Sequence, residues 1–103
     1  MSIKEIHSKQ YTISASPQYS DSFSLYNGYA FALHWVYTSG AGSGILQYSN
    51  DNSNWVDVTG TSQSFSGSSS ALWDVTQCGA AYVRLKFTSG TNMTGTLYFN
   101  WKG

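Results

Sequence analysis

Residues 46–58 read LQYSNDNSNWVDV and predict a strand, a polar turn and a second strand in succession. The centre of the stretch, residues 50–54, contains only Asn, Asp and Ser. Side chains of these types accept hydrogen bonds from backbone groups one or two residues ahead, and Asn tolerates the left-handed conformation. A calcium loop would need a different ligand spacing and a bidentate Glu, so we expect these side chains to close their own turn. We expect Trp55 to anchor the hairpin in the core.

Segments of alternating large and small side chains flank this hairpin and predict further strands. Ahead of the hairpin these are residues 11–15, 22–26 and 29–38, with Asn27-Gly28 as a hairpin turn between the second and third. Beyond it they are a short edge strand around Phe65, then residues 71–75, 82–88 and 95–101. The Gly- and Ser-rich residues 39–44 are predicted as a flexible loop, and residues 89–92 as a turn. Eight or nine short strands and no long helix predict an all-β fold, a small antiparallel β-sandwich of jelly-roll type.

The length and composition favour one domain with an aromatic core. The chain has 103 residues, of which 41% are hydrophobic, 17% aromatic and 10% charged. One core is expected at this size, and abundant rings suit a sheet. We assign residues 11–103 to a single β-sandwich domain and residues 1–10 to an N-terminal arm. This arm is either a frayed terminus or a segment that docks on a neighbour.

The charge pattern argues against two classes of partner. A formal net charge of +0 offers no basic field for nucleic acid or for a membrane surface. The sequence contains no apolar run of membrane-spanning length and starts without a signal peptide, so we expect no secretion by the general route. Cys78 is the one cysteine, so no internal disulfide is expected. Intracellular folding fits these features, and so does a virus particle assembled in the host cytoplasm.

Chemistry-bearing residues are too few to indicate an enzyme. The chain has two His, five acidic residues and Cys78, with no nucleophile elbow and no metal-ligand spacing. We expect His34 to be a packed strand residue, and Cys78 to be a buried thiol because no Lys or Arg flanks it to lower its pKa. The predicted catalytic, metal and cofactor residues are therefore none.

Aromatic residues leave two interpretations open. Four Trp and eight Tyr would suit a sugar-stacking platform or the core of a small sandwich. Most of the Trp fall on the same strand faces as Leu, Val and Ile. We therefore expect most Trp in the core and exposed Tyr on a contact surface.

The predicted strand 29–38 carries the leading interface candidate. One of its faces is aromatic, and the other is small and nearly uncharged, so we expect both to be covered. The second cover is either a sheet of the same chain or a second subunit. The candidate interface residues are Ala30, Ala32, His34 and Val36.

Several motifs together resemble short virion proteins of tailed phages. The run of residues 46–58 is followed by Trp73-Asp74-Val75, then Tyr82-Val83-Arg84-Leu85, then Gly95-Thr96-Leu97 near the chain end. The combination covers roughly residues 30–103 and resembles the family pattern of SND, W-x-DV, YVRL and GTL. This resemblance implies a structural protein of a virus particle, such as a capsid decoration protein or a fibre or spike module.

A second resemblance is to discoidin-type galactose-binding-like domains, which share a hairpin with a YS, D and W pattern and a YVRL strand. Tyr48-Ser49, Asp51, Trp55 and 82–84 match it, but the chain is shorter and lacks the terminal cysteine pair. This likeness implies a jelly-roll fold, and it implies far less about the binding of a lipid or sugar.

These observations predict a non-catalytic virion structural protein that assembles through protein–protein contacts. The expected partners are identical subunits and other virion proteins, and closed symmetry on a lattice suits a trimer among other numbers. The alternative is a carbohydrate-binding adhesin or receptor-binding module, with glycans as partners.

Overall fold

The computed structural model of the chain describes residues 3–14, 17–25 and 30–102 and shows an all-β protein. The strands are β1 (Ile3–Ile13), β2 (Gln18–Tyr19), β3 (Phe23–Ser24), β4 (Ala30–Ser49), β5 (Val56–Asp57), β6 (Gln63–Ser66), β7 (Ser69–Val75) and β8 (Tyr82–Lys102). The predicted turn at Asn27-Gly28 lies outside the described residues. The predicted hairpin of residues 46–58 is confirmed, with its arms in β4 and β5.

Two long antiparallel strands, β4 and β8, form the frame of the molecule. They pair along their whole length, from Ala30 opposite Lys102 to Ser49 opposite Tyr82. The remaining strands pair on the two outer sides of this central pair. β1, β2 and β3 follow one another along β8, while β7, β6 and β5 follow one another along β4.

The long strands bend in the middle, so that one sheet folds into two facing layers. Layer 1 contains β1 and β7 with residues 30–38 of β4 and 93–102 of β8. Layer 2 contains β2, β3, β5 and β6 with the other halves of the long strands. Rings from the two layers meet between them, as when Trp35 approaches Phe87 with 4.9 Å between centroids. The predicted small antiparallel β-sandwich is thereby confirmed.

The bend lies in the segments that the sequence predicted as a loop and a turn. Residues 39–44 are continuous with β4, and residues 89–92 are continuous with β8; the two segments pair with each other through register shifts. Gly40 has a φ of 93° and Asn92 a φ of 49°, which is the left-handed conformation that a sharp change of strand direction uses. The loop prediction was wrong because Gly and Ser leave no alternating pattern even when the backbone stays paired.

The core lies between the layers and contains most of the large apolar side chains. Its largest fully buried members are Trp35, Phe31, Phe87, Phe99, Ile13, Leu25, Leu33, Leu46, Leu85, Met93, Leu97 and Val83. Trp73 is also buried, and Trp101 packs partly buried against this cluster. The expectation of a core position is thus confirmed for Trp35 and Trp73, whereas Trp55 is half-buried and lies outside the core cluster.

The segment predicted as an arm contributes to the sheet. Residues 3–10 form most of β1 and pair with residues 96–102 of β8. Within the described ranges, no helix is long and apolar enough to cross a membrane.

Candidate functional site

The outer face of layer 1 carries an apolar patch at its centre. Leu72 of β7, His34 of β4 and Tyr98 of β8 lie opposite one another in a row across three strands. Leu72 is 55% exposed and Tyr98 is 42% exposed, and the His34 and Tyr98 ring centroids are 6.2 Å apart. Large apolar side chains at the centre of a sheet face are therefore open to solvent.

Small residues of β4 extend this row into a wider surface. Val36 is 36% exposed, and Ala32 is half-buried one step along the strand on the other side of His34. We define the apolar patch as Ala32, His34, Val36, Leu72 and Tyr98. Asp74, in register with Ala32, brings a charge to its border. A contiguous apolar area on a sheet face is a common feature of protein-interaction surfaces.

Three of the four candidate interface residues belong to the patch. Ala32, His34 and Val36 are accessible, whereas Ala30 is buried at the end of the same strand face. Leu72 and Tyr98 were absent from the candidates. Their signal in the sequence is a large apolar residue at an outward position of an alternating strand, since Ala71 and Trp73 flank Leu72 and both point into the core.

The polar turn of residues 50–54 closes on itself as the sequence predicts. The Asp51 carboxylate accepts hydrogen bonds from the backbone N–H groups of Ser53 and Asn54 at 2.9 and 2.8 Å, and from the Asn54 side-chain amide at 2.6 Å. The Ser49 hydroxyl donates to the same carboxylate at 3.0 Å. Asn52 adopts the left-handed conformation, with a φ of 62°. The hydrogen bonds from Asn54, Ser53 and Ser49 hold the pKa of Asp51 well below its usual range.

An open groove of about 490 Å³ lies beside this turn. Its walls are Tyr48, Ser49, Asn50, Asp51, Asn54, Val56, Gly79 and Ala80. Several of the polar groups are already occupied: the Asn50 side-chain oxygen accepts from the Ala81 backbone N–H at 3.1 Å, and Asp51 closes the turn. The groove therefore offers a ligand mainly shape and an apolar wall at Val56, which is 65% exposed.

Tyr48 separates this groove from the core. Burial raises the pKa of its hydroxyl well above the usual range, and the adjacent buried Cys78 adds to the effect. The predicted buried state of Cys78 is confirmed. A hydroxyl that is harder to ionise than a free tyrosine is unsuited to act as a base near neutral pH.

The outer face of layer 2 differs from the patch, because it carries cations and rings. The Arg84 guanidinium carbon lies 4.1 Å from the centroid of the Tyr19 ring and 4.3 Å from that of Trp55. Trp55, expected to anchor the hairpin in the core, instead packs on this guanidinium. Period-two counting could not place Trp55 because it lies between the turn and β5, where alternation does not apply.

From the sequence we expect no metal-binding or catalytic group of residues. Across the described residues, no three side chains of His, Cys, Asp or Glu cluster closely enough to hold a metal ion.

Comparison with known proteins shows a similarity of fold. No protein-family model matches the chain, and a search of curated proteins finds no match. Among solved structures, the chain is similar to the crystal structure of the SPBc2 prophage-derived protein YomS, with a TM-score of 0.64 and 12% sequence identity over 99% of both chains. At this identity the similarity concerns the fold, and it extends over the whole β-sandwich.

Proposed function

We propose that this protein is a non-catalytic virion structural protein, a capsid decoration protein or a fibre or spike module, that assembles through the apolar patch. The observation that carries the proposal is the exposure of Leu72, Tyr98 and Val36 on one nearly uncharged sheet face. Burying such side chains contributes about 25 cal/mol per Å² of apolar surface, which favours association over exposure to water.

The first occupant of the patch is a second copy of the same chain. A formal net charge of +0 means that copies approach without long-range repulsion. The row of Leu72, His34 and Tyr98 runs straight across three strands, so a two-fold related copy can lay the same row against it. Other virion proteins are further partners of the assembled unit.

Two independent likenesses support the phage setting. The motif combination in residues 46–97 resembles tailed-phage virion proteins, and the fold is similar to that of a prophage-derived protein over nearly the whole chain. The setting implies synthesis in a host cytoplasm and a final location in the virion.

The test of assembly compares two exposed apolar residues on opposite layers. Leu72→Glu places a charge in the patch, and Val56→Glu places the same charge on layer 2. Mass photometry and light scattering should show an oligomer for the wild-type chain and for Val56→Glu. The Leu72→Glu variant should dissociate at least about tenfold more readily, because burial of an unpaired carboxylate is costly. Circular dichroism establishes that each variant is folded. A wild-type chain that stays monomeric and is not taken up by particles would contradict the proposal.

The groove favours a second candidate, a carbohydrate-binding adhesin. Its volume of about 490 Å³ lies in the range of small-ligand sites, and Val56 and Tyr48 supply apolar walls beside the Asn-rich turn. A glycan array separates the two candidates with the same variants. Saturable binding that is lost in Val56→Glu and kept in Leu72→Glu would favour the adhesin. The absence of glycan binding on the array, together with dissociation of the Leu72→Glu oligomer, would favour assembly.

A further inference from the structure

Arg84 is held in one position on the outer face of layer 2. The side chain comes from β8, while Tyr19 comes from β2 and Trp55 from the segment that leads into β5. Its guanidinium lies over both rings, at 4.1 and 4.3 Å from their centroids. Contacts of this kind exclude water from the planar faces of the guanidinium and leave its rim as the place where hydrogen bonds form.

A chain of hydrogen bonds fixes the rotation of this guanidinium. Its Nε donates to the side-chain oxygen of the buried Gln47 at 2.8 Å, and the Gln47 amide donates to Asp57 Oδ1 at 2.8 Å. Lys86 Nζ lies 3.6 Å from the same Asp57 oxygen. The Asp57 charge is therefore shared by Gln47 and Lys86.

Arg84 has no carboxylate partner among the side chains that the structure describes. Asp21 pairs with Lys9, Asp51 closes its turn, and Asp57 pairs with Lys86. Guanidinium groups carry five N–H donors, and the bond to Gln47 uses the one on Nε. Burial lowers the pKa of Arg84, which agrees with a charge that no neighbouring carboxylate compensates.

We propose that Arg84, held between Tyr19 and Trp55, is a binding site for a carboxylate, received edge-on by its terminal nitrogens. The fork of donors matches the two oxygens of a carboxylate, and the rings hold it in place before the ligand arrives. A monoanion fits better than a phosphate dianion, because Asp57 neutralises Lys86 and leaves one uncompensated positive charge at the site. An acidic side chain of a protein and an acidic sugar both present this group.

The test is a titration followed by the side-chain NMR signals of Arg84 Nε–H and of the Trp55 indole. The probes are sodium glutarate and sodium glucuronate, with glucose as the uncharged sugar, inorganic phosphate as the dianion and sodium chloride at equal ionic strength. Saturable shifts with both carboxylates, and weaker binding of phosphate, are expected. Tighter binding of glucuronate than of glutarate supports an acidic sugar as the natural source, and equal binding supports an acidic protein side chain.

Variants separate site binding from general charge. Arg84→Lys keeps the charge but loses the fork and the stacking, so binding should weaken at least about tenfold. Lys9→Gln removes one positive charge from β1 and should bind like the wild type. Shifts in the wild type no larger than those with sodium chloride, or equal binding by folded Arg84→Lys, would overturn the site. If Arg84→Lys fails to fold, the titration of the wild-type protein alone decides whether the carboxylate site exists.

The site is independent of the proposed assembly. It lies on layer 2, whereas the apolar patch lies on layer 1, and the titration observes Arg84 directly. A negative titration therefore leaves the mass measurements on Leu72→Glu unaffected.

Discussion

Ser20 shows how one side chain can continue a β-ladder where a strand ends. It follows β2, and its backbone N–H donates to the Leu85 carbonyl at 2.9 Å. Its hydroxyl accepts from the Leu85 N–H, also at 2.9 Å, and both residues are buried. Because no water reaches this N–H, the hydroxyl is its acceptor in the folded state.

Ser20→Ala should therefore destabilise the protein. The substitution removes one oxygen atom and leaves the buried Leu85 N–H without an acceptor, at a cost of about 1 to 3 kcal/mol. Urea unfolding measures this cost. The control is Ser22→Ala at an exposed position nearby, which should stay within about 0.5 kcal/mol of the wild type. Equal midpoints for the two variants would contradict the role of Ser20.

Asp51 makes the stability of the polar turn depend on pH. The pKa of this carboxyl is lower in the folded chain than the ordinary value of 3.8. Its contribution is therefore fully present above the unfolded pKa and is lost as pH falls below 3.8 toward the folded pKa. The wild type should melt at a higher temperature than Asp51→Asn at neutral pH, and the difference should shrink in acid. Asp74→Asn, which removes an exposed carboxylate from β7, is the control for the loss of one surface charge.

For single residues, contacts with near neighbours in the chain could be predicted from the sequence, and contacts with distant residues could not. The role of Asp51 follows from residues two and three positions away, so the sequence alone predicts it. Ser20 and Trp55 depend on Leu85 and Arg84, which are far along the chain. Nothing in the neighbouring residues of either indicates that partner.

At the scale of elements, the central fact is that two strands serve both layers. β4 and β8 each run through the bend and stay paired with one another across it. Gly42 lies opposite Gly90 at this crossing. Side chains there would occupy space that the two backbones already fill, which explains why the segment is rich in glycine although it belongs to a strand.

Gly42→Ala should destabilise the bend. The added Cβ would fall on the Ser89 carbonyl oxygen and 3.2 Å from the Met93 methyl carbon, so backbone would have to shift. Overpacking of this kind costs about 1 to 3 kcal/mol. Gly79→Ala is the matched control, because no atom beyond the two neighbouring residues lies within 4 Å of its added Cβ. Denaturant unfolding should separate the two variants, and an unchanged Gly42→Ala would show that the bend is loosely packed.

The same geometry limits what a sequence can show about strand length. Alternation predicts the two halves of β8 correctly, at residues 82–88 and 95–101, because large side chains mark the core face there. The pattern disappears between the halves. Continuity of backbone pairing leaves no trace in side-chain type, so the two halves read as separate strands.

At the scale of the whole molecule, the fold places two chemically different surfaces on opposite layers. The outward residues of β8 show this directly: Tyr98 lies in the apolar patch of layer 1, and Arg84 lies between rings on layer 2. The all-β class and the face with Ala32, His34 and Val36 follow from strand periodicity. Leu72 enters the patch only through the pairing of β7 with β4, which the sequence does not specify.

The last prediction concerns residues 1–10, which the sequence assigned to an arm. β1 pairs with β8 at ten positions, and seven of these lie within residues 3–10. Because β8 is one of the two central strands of layer 1, removal of this segment exposes backbone donors and acceptors along one side of β8. Each backbone hydrogen bond contributes a net value of about 1 kcal/mol, and fraying at the chain end reduces the sum. Deletion of residues 1–10 should therefore lower the unfolding free energy by about 3 kcal/mol or more.

Two measurements on the deleted chain distinguish the possible roles of this segment. Urea unfolding reports its part in the sheet, and mass photometry reports its part in assembly. If the segment serves as a strand of the sandwich, the shortened chain should be less stable but should keep its oligomeric state at temperatures where it is folded. If the segment is an arm that docks on a neighbour, the shortened chain should keep its stability and lose the oligomer. Because the apolar patch involves β4, β7 and β8, and the deleted residues lie on the edge beside them, we expect the first result.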